Sequence, residues 1–412
     1  MAEVRNFRDY SRNNRNTDAP DEDTGASFSR EPSYQEKIRN HKLIVFYRTL
    51  FLLIAAVAII SFIYVNWHNK VYTESRVLST TSLTGMSGVT VLPLGQNIIR
   101  YSKDGINCMS ADGRALWNMT YDMQAPVVRV CNETVAVGDY NGNTIYVANS
   151  QGTLGSFGTN LPIRDFCVSS QGVVAVILDD DDITRIKLFD TSGKELAAIK
   201  ATMSNSGYPI SMSISPNGEL LAVCYLKESG GSIQTGVTFF NFGAVGQNAT
   251  DNMVSSFKYE DTIIPFDVFM NSGTNLAVSD KSVIFYKGED VPNDPIVNDM
   301  GETEIMSVYN SDTYAGIISA GTAEEGAYKL TVYNTSGKDV LDMYFDLAYT
   351  DMFFSDDQFV LYNDKEWQLY GVDGTLRFEG EFDDSIRAII PGSSRSRFTI
   401  VTSDSIDQIE LR

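Results

Sequence analysis

The side chains able to do chemistry in this chain are overwhelmingly carboxylates: 53 Asp and Glu stand against 32 Lys and Arg and only 2 His. Both histidines, His41 and His68, flank one apolar run near the N-terminus, so the long region beyond it contains none. Without an imidazole that region cannot assemble a Ser-His-Asp or Cys-His nucleophile system, or a histidine metal site. No Gly-rich phosphate loop stands at a strand–helix junction. The four cysteines, Cys108, Cys131, Cys167 and Cys224, sit among apolar residues without a short metal-binding spacing. They read as buried free thiols, with one disulfide as the alternative. Paired carboxylates acting as in glycosidases are the remaining catalytic route, and their spacing is not given by sequence. The expectation is a protein that binds rather than catalyses, with no catalytic residue, cofactor or metal ligand assigned.

The elements that must position these carboxylates are strands. From about Ser75 onward, short β-branched and aromatic runs alternate with Gly, Asp, Asn and Ser turns, and no stretch has a strong helical period. Apolar strand cores recur at Asn97–Tyr101, Thr134–Gly138, Val173–Leu178, Leu220–Tyr225, Leu276–Ser279, Tyr314–Ser319, Phe359–Tyr362 and Phe398–Val401, with starts 37 to 56 residues apart. A four-stranded propeller blade takes ~40–50 residues, which matches. Within residues 209–261, PISMSIS reads as the innermost strand, LLAVCYLK as the second, ESGGSIQT as a longer connection, GVTFFNFG as the third and VSSFKYED as the outer one.

The turn SPNGELLAV (215–223) resembles the SPDGxxLAV hairpin of WD40-like and lactonase-like propellers, with FMNSGTNLAV (269–278) and CVSSQGVVAV (167–176) as weaker copies. A second hairpin recurs as CMSADGRALW (108–117), VANSQGTLGSF (147–157), LFDTSGKELAAI (188–199), VYNTSGKDVLDM (332–343) and LYGVDGTLRF (369–378). Asp, Asn or Ser beside Gly supplies the positive φ such turns need. This form resembles the repeat of quinoprotein-like and BamB-like propellers, whose hairpins often end in Trp; Trp117 alone keeps it. The expected fold class is therefore an all-β propeller. Eight blades are favoured, the last made of residues 386–412 and closed by a fourth strand from Ser75–Leu83, which hides both edges. Seven is the alternative count, because residues 243–310 are irregular in pattern.

In such a ring the loops between second and third strands share one face. They carry Asp104, Asp139, Asp179, Asp180, Asp181, Asp182, Glu228, Asp280, Glu324, Glu325, Asp364, Glu366 and Asp404. Lys103, Lys227, Lys281 and Lys365 offset only part of this, while the opposite hairpins mix charges, as in Asp112 with Arg114. One mouth of the ring, with longer loops at 227–236 and 320–327, is thus expected to be acidic and to bind a basic protein or peptide, a polyamine or divalent cations. The competing explanation is that Asp and Glu are simply good turn residues. The consecutive acids 179–182 lack the spaced order of a calcium loop.

Upstream, Leu43 to Val65 holds one charge, Arg48, in 23 residues. At ~1.5 Å per residue that run crosses a ~30 Å hydrocarbon layer. Lys37, Arg39, Lys42 and Arg48 lie at its N-terminal side against Lys70 and Arg76 on the other. That bias puts the N-terminus in the cytoplasm and the propeller outside. A cleaved signal peptide is the alternative, but its apolar core is ~7–15 residues and is followed by an A-x-A-like site, and NWHNKVYTES offers none. The expected organisation is a disordered tail over 1–42, a transmembrane helix over 43–66 contacting the bilayer, a linker over 67–74 and an extracytoplasmic propeller over 75–412. Eight basic and eight acidic residues cancel in the tail, so the net −21 of the chain becomes −22 beyond Arg48. Such a balance argues against nucleic acid as partner. The whole plan resembles uncharacterised membrane-anchored propeller proteins of Gram-positive bacteria, a resemblance that implies topology and cell type. The expected function is a binding or scaffolding ectodomain for a protein, peptide or envelope ligand. The alternatives are a sensor relaying to a cytoplasmic partner and a carboxylate-based hydrolase or lyase.

Overall fold

The computed structural model describes residues 34–180, 183–202 and 206–412. The chain divides into two compact units, Met1–His68 and Asn69–Arg412. In the first, one helix, α1, runs Tyr34–His68. It begins before the predicted residue 43 because YQEKIRNHK contains no Gly or Pro and is rich in good helix formers. Residues 34–42 are therefore helical rather than part of a disordered tail, and the rest of the predicted tail, 1–33, lies outside the described residues. His41–Ile63 has a mean hydropathy of 2.6 and is long and apolar enough to cross a membrane, as an anchor or a signal sequence does. Its apolar side chains are exposed, Phe51 at 71% and Phe62 at 73%. The Thr49 hydroxyl is satisfied within the helix, donating to the Phe46 carbonyl at 2.8 Å.

The second unit is a propeller of eight four-stranded antiparallel sheets. Blades 1 to 7 take residues 90–120, 126–158, 163–202, 208–260, 266–299, 305–345 and 351–381, each with its strands in sequence order. Blade 8 combines Ile386–Pro391, Arg397–Thr402 and Ser405–Leu411 with Ser75–Ser82 as its fourth strand. The closing pair runs antiparallel from Ser75 opposite Leu411 to Ser82 opposite Ser405. First strands of neighbouring blades approach one another, among them Thr90–Leu94 and Ile386–Pro391 across the closure. They therefore line the axis, all running in the same direction.

The irregular pattern over 243–310 does not remove a blade. Blade 5 is regular, and the irregularity is confined to two short 3-10 turns, Gly246–Asn248 and Thr250–Asn252, between the last two strands of blade 4. Gly246 is required there, since a Cβ would fall 1.6 Å from the Asn241 carbonyl oxygen. The predicted linker is also shorter than 67–74. Tyr72 N donates to Arg377 O at 2.7 Å, Thr73 N to Arg412 O at 2.9 Å, and Arg412 N to Glu74 O at 2.9 Å. The Tyr72 ring packs with the cluster around Trp367 and Phe378.

The core is not one centre but a cycle of interfaces between blades. One apolar cluster joins blade 8 to blade 1 through Ala388, Ile390, Val401, Val91 and Ile98. Corresponding clusters join each later pair, from blades 1 and 2 round to blades 7 and 8. Second strands such as Thr274–Val278 and Gln358–Tyr362 are buried along their whole length. Sandwiched on both faces, they read as largely apolar runs, which is why they carried the repeat in the sequence. Fourth strands such as Ala115–Thr120 are half exposed and alternate. The third–fourth hairpins place Gly113, Gly193, Gly337 and Gly374 at φ 83, 82, 70 and 82. The preceding Asp or Asn caps the turn, as Asp190 Oδ1 does for Ser192 N at 2.9 Å and Lys194 N at 3.0 Å. Trp117 ties blade 1 to blade 2, its indole N–H donating to Asn149 O at 2.8 Å.

Closure by Ser75–Ser82 makes a testable distinction between two truncations. A protein beginning at residue 69 keeps all eight blades and should melt in one cooperative transition. One beginning at 83 exposes the edge of Ser405–Leu411 and should melt at least 10 °C lower or aggregate, as scanning calorimetry would record; equal melting temperatures would contradict closure through this strand.

Candidate functional site

The first strands of blades 2 to 6 converge at the axis around a cavity of about 590 Å³, at the end of the ring where first–second hairpins turn. Consecutive residues of these innermost strands line it, as in Arg129, Val130 and Cys131 or Asp267, Val268, Phe269 and Met270. Arg129 of blade 2 and Asp165 of blade 3 form an ion pair across the blade gap, Nη2 to Oδ1 at 2.9 Å. Two residues further along each strand stand Cys131 and Cys167, both lining the cavity. Asn310, Ser311 and Asp312 of blade 6 contribute to its wall.

The chemically distinctive group is Asp267, in the first strand of blade 5 and 9% exposed. Ser213 of blade 4 donates to its Oδ2 at 2.7 Å, and Asn275 Nδ2 to its Oδ1 at 2.8 Å. No basic group pairs with it among the described residues. Burial pushes its carboxyl up to about 6, partly opposed by the hydrogen bonds from Asn275 and Ser213, which favour the ionised form. The thiols nearby behave alike: burial raises Cys131 and holds Cys167 and Cys224 well above the ordinary thiol value. All four cysteines are free. Protonated thiols are poor nucleophiles, so Cys131 and Cys167 act here as small, soft walls.

Of these axial residues the sequence offered one overlooked signal. FDVFMN (266–271) carries a carboxylate inside an apolar first strand, whereas the acids singled out above stand in turns. Arg129 in PVVRVC and Asp165 in IRDFCV have the same character.

The turn acids are placed differently. The second–third turns share their end of the ring with the links between blades, because successive strands are antiparallel. Those links add Asp122, Asp261, Glu302, Glu304, Asp346, Asp383 and Asp384, and none of their described residues is Lys or Arg. Several of the sequence-derived site residues serve the fold. Asp139 accepts from Ala125 N at 2.7 Å and Gln124 N at 3.2 Å, and Asp280 from Ile263 N at 3.2 Å. Asp179 pairs with Arg164, whose Nε lies at 2.9 Å, and Asp180 with Arg185 at 2.5 Å. Glu325 accepts from Thr322 Oγ1 at 3.3 Å. Asp104, Glu228, Glu324, Asp364, Glu366 and Asp404 are exposed, and Asp181 and Asp182 lie outside the described residues. Among the described residues no group of three or more His, Cys, Asp or Glu is placed to hold a metal ion.

The segments predicted as longer loops are instead strands. Leu220–Ser229 and Ser232–Asn241 form a ten-residue pair joined by Gly230 and Gly231 at φ 65 and 89. Two positive φ values make the tight turn that matches strand twist. Tyr314–Thr322 and Gly326–Asn334 form a second long hairpin. The two reach beyond their five- and six-residue counterparts in blade 5.

Residues 68–411 match a single protein family over the whole ring. The chain belongs to DUF5711, a family of unknown function. No curated protein matches this DUF5711 chain. Among solved structures it is similar to BamB from Moraxella catarrhalis, with 10% identity and a TM-score of 0.48 over 82% of this chain and 100% of that one. It is also similar to Kuenenia stuttgartiensis hydrazine synthase, with 10% identity and a TM-score of 0.43 over 72% and 95% of the two chains.

Asp267 gives this DUF5711 ring a pH signature. Its folded value is raised above the ordinary ~3.9, so its contribution is fully present below about pH 4. It is lost as pH rises through about 6, at a cost of roughly 3 kcal/mol. Asp267→Asn should flatten this fall between pH 4 and 6.5 in urea titrations of the protein. A variant with an unchanged pH profile would show that the carboxyl is not raised.

Proposed function

We propose that this protein is a binding module, with the axial cavity as its ligand site. The cavity carries the reading: its volume lies within the ~300–1,000 Å³ of small-molecule sites, and an ionisable group is held at its wall at an energetic cost. Leaving a carboxylate in a poorly solvated place without a cation is unfavourable unless something in the site uses it. The raised thiols support binding over covalent catalysis, and the rigid first strands give preformed walls. We take α1 as an uncleaved anchor. On that reading the positive residues before it place the N-terminus in the cytoplasm and the ring outside, where a protein, peptide or envelope ligand would meet it.

A second reading is supported by the two long hairpins. They extend the acidic end of the ring and carry Glu228, Glu324 and Glu325, so a basic protein or peptide would dock there by charge complementarity and a few loop side chains.

Both readings are open to direct measurement. In a thermal-shift screen of a fragment library, hits on the wild type should be lost in Ser213→Trp, which fills the cavity; hits unaffected by that change would remove the axial site. Charge reversal at Glu228, Glu324 and Glu325 should weaken capture of a basic partner at least tenfold at low salt, and unchanged capture would remove the acidic-end reading. Protease added to intact cells should digest the ring and spare an epitope at the N-terminus; an intact ring would overturn the topology.

A further inference from the structure

The cavity presents charges of both signs, Asp267 and Asp312 from blades 5 and 6 and Arg129 from blade 2, and this sets the class of ligand it can hold. Asp267 stands on the blade 5 side, fixed by Ser213 and Asn275. Arg129 stands on the blade 2 side, its side chain 46% exposed, with one nitrogen on Asp165 as its side-chain bond among the described residues. The rest of that planar guanidinium fork is open to an acceptor. Between them, Met212, Met270 and Val168 supply apolar wall. A polyanion entering this space would meet Asp267 and Asp312, and a polycation would meet Arg129, each a like-charge contact in a partly desolvated site. A molecule with an ammonium at one end and a carboxylate at the other meets both groups favourably.

We propose that the axial cavity receives a zwitterion of the amino-acid or short-peptide class, its ammonium on Asp267 and its carboxylate on Arg129. Methionine and valine walls would take an aliphatic side chain, since Met adapts to varied shapes. Arg129 is well suited to the carboxylate end because its fork can hold both oxygens. Asp165 keeps that fork in place by occupying one of its nitrogens, which makes Asp165 a positioning residue rather than a ligand contact. The inference rests on the reading of the cavity as the ligand site.

The test is calorimetric titration of the full chain in detergent micelles near pH 7.5. The probes are the standard amino acids in L and D forms, alanyl-leucine, N-acetyl-leucine, leucinamide and spermidine. One or more zwitterions should bind, and the blocked forms of leucine should bind about tenfold more weakly than the free forms wherever leucine or alanyl-leucine binds. Asp267→Asn and Arg129→Gln should each cost the zwitterion about tenfold, the second being at an exposed position that leaves the fold intact. Spermidine binding that depends on Asp267 and not on Arg129 would overturn the proposal, as would equal binding of blocked and free probes. Binding of no zwitterion would also overturn it, and fragment hits lost in Ser213→Trp would show that the cavity itself survives as a site.

Discussion

Every sheet in this ring has two apolar faces, and each face is covered by the next blade. That mutual cover is the constraint from which the rest follows. The apolar clusters join blade to blade without a gap, including the joint between blades 8 and 1. An open arc would leave two faces wet and two edges unpaired, a penalty in both the hydrophobic and the hydrogen-bond terms. The pairing of Ser75–Ser82 with Ser405–Leu411 removes both at once, using the first strand of the propeller to finish its last blade. The chain immediately before it is bound as well, through Tyr72 and Thr73, so the ring is fastened at the point where the polypeptide enters.

The same geometry produces the axial cavity. Eight first strands running in one direction around an axis cannot fill the middle with backbone, so their side chains decide what is left there. On blades 2 to 4, Cys131, Cys167 and Ser213 are small and leave room, and Asp267 on blade 5 adds a buried carboxyl. Burial of that group opposes folding at neutral pH, and the hydrogen bonds from Ser213 and Asn275 recover part of the loss. A ring built only for stability would place an apolar residue at 267. The charge therefore marks where the fold concedes stability.

The acidic end of the ring illustrates how one residue type serves two purposes. Asp139 and Asp280 accept hydrogen bonds from backbone N–H groups of the preceding links, holding one blade to the next. Asp179 and Asp180 are matched by Arg164 and Arg185. Glu228 and Glu324, on the long hairpins, are exposed instead, so the field beyond that end comes from a smaller set of acids than the composition implies.

The sequence by itself determined the repeat and the strands, and it favoured a closing strand at residues 75–83 that the pairing with Ser405–Leu411 then established. Second strands buried on both faces are mostly apolar, and the Asp-x-x-Gly type hairpins need a positive φ, so both leave a local imprint that survives in one chain. It also determined an apolar helix, although helix-forming residues beyond the apolar run carried α1 out to Tyr34 and His68. The blade count over 243–310 and the extension of the hairpins at 220–241 and 314–334 were decided by pairing, which turned expected loops into ladders. Only the tertiary structure brought Arg129, Ser213 and Asp267 to one cavity. Their separation in sequence is large, and nothing in a strand's own pattern says which neighbour lies across the axis; that is set by the closure of the ring.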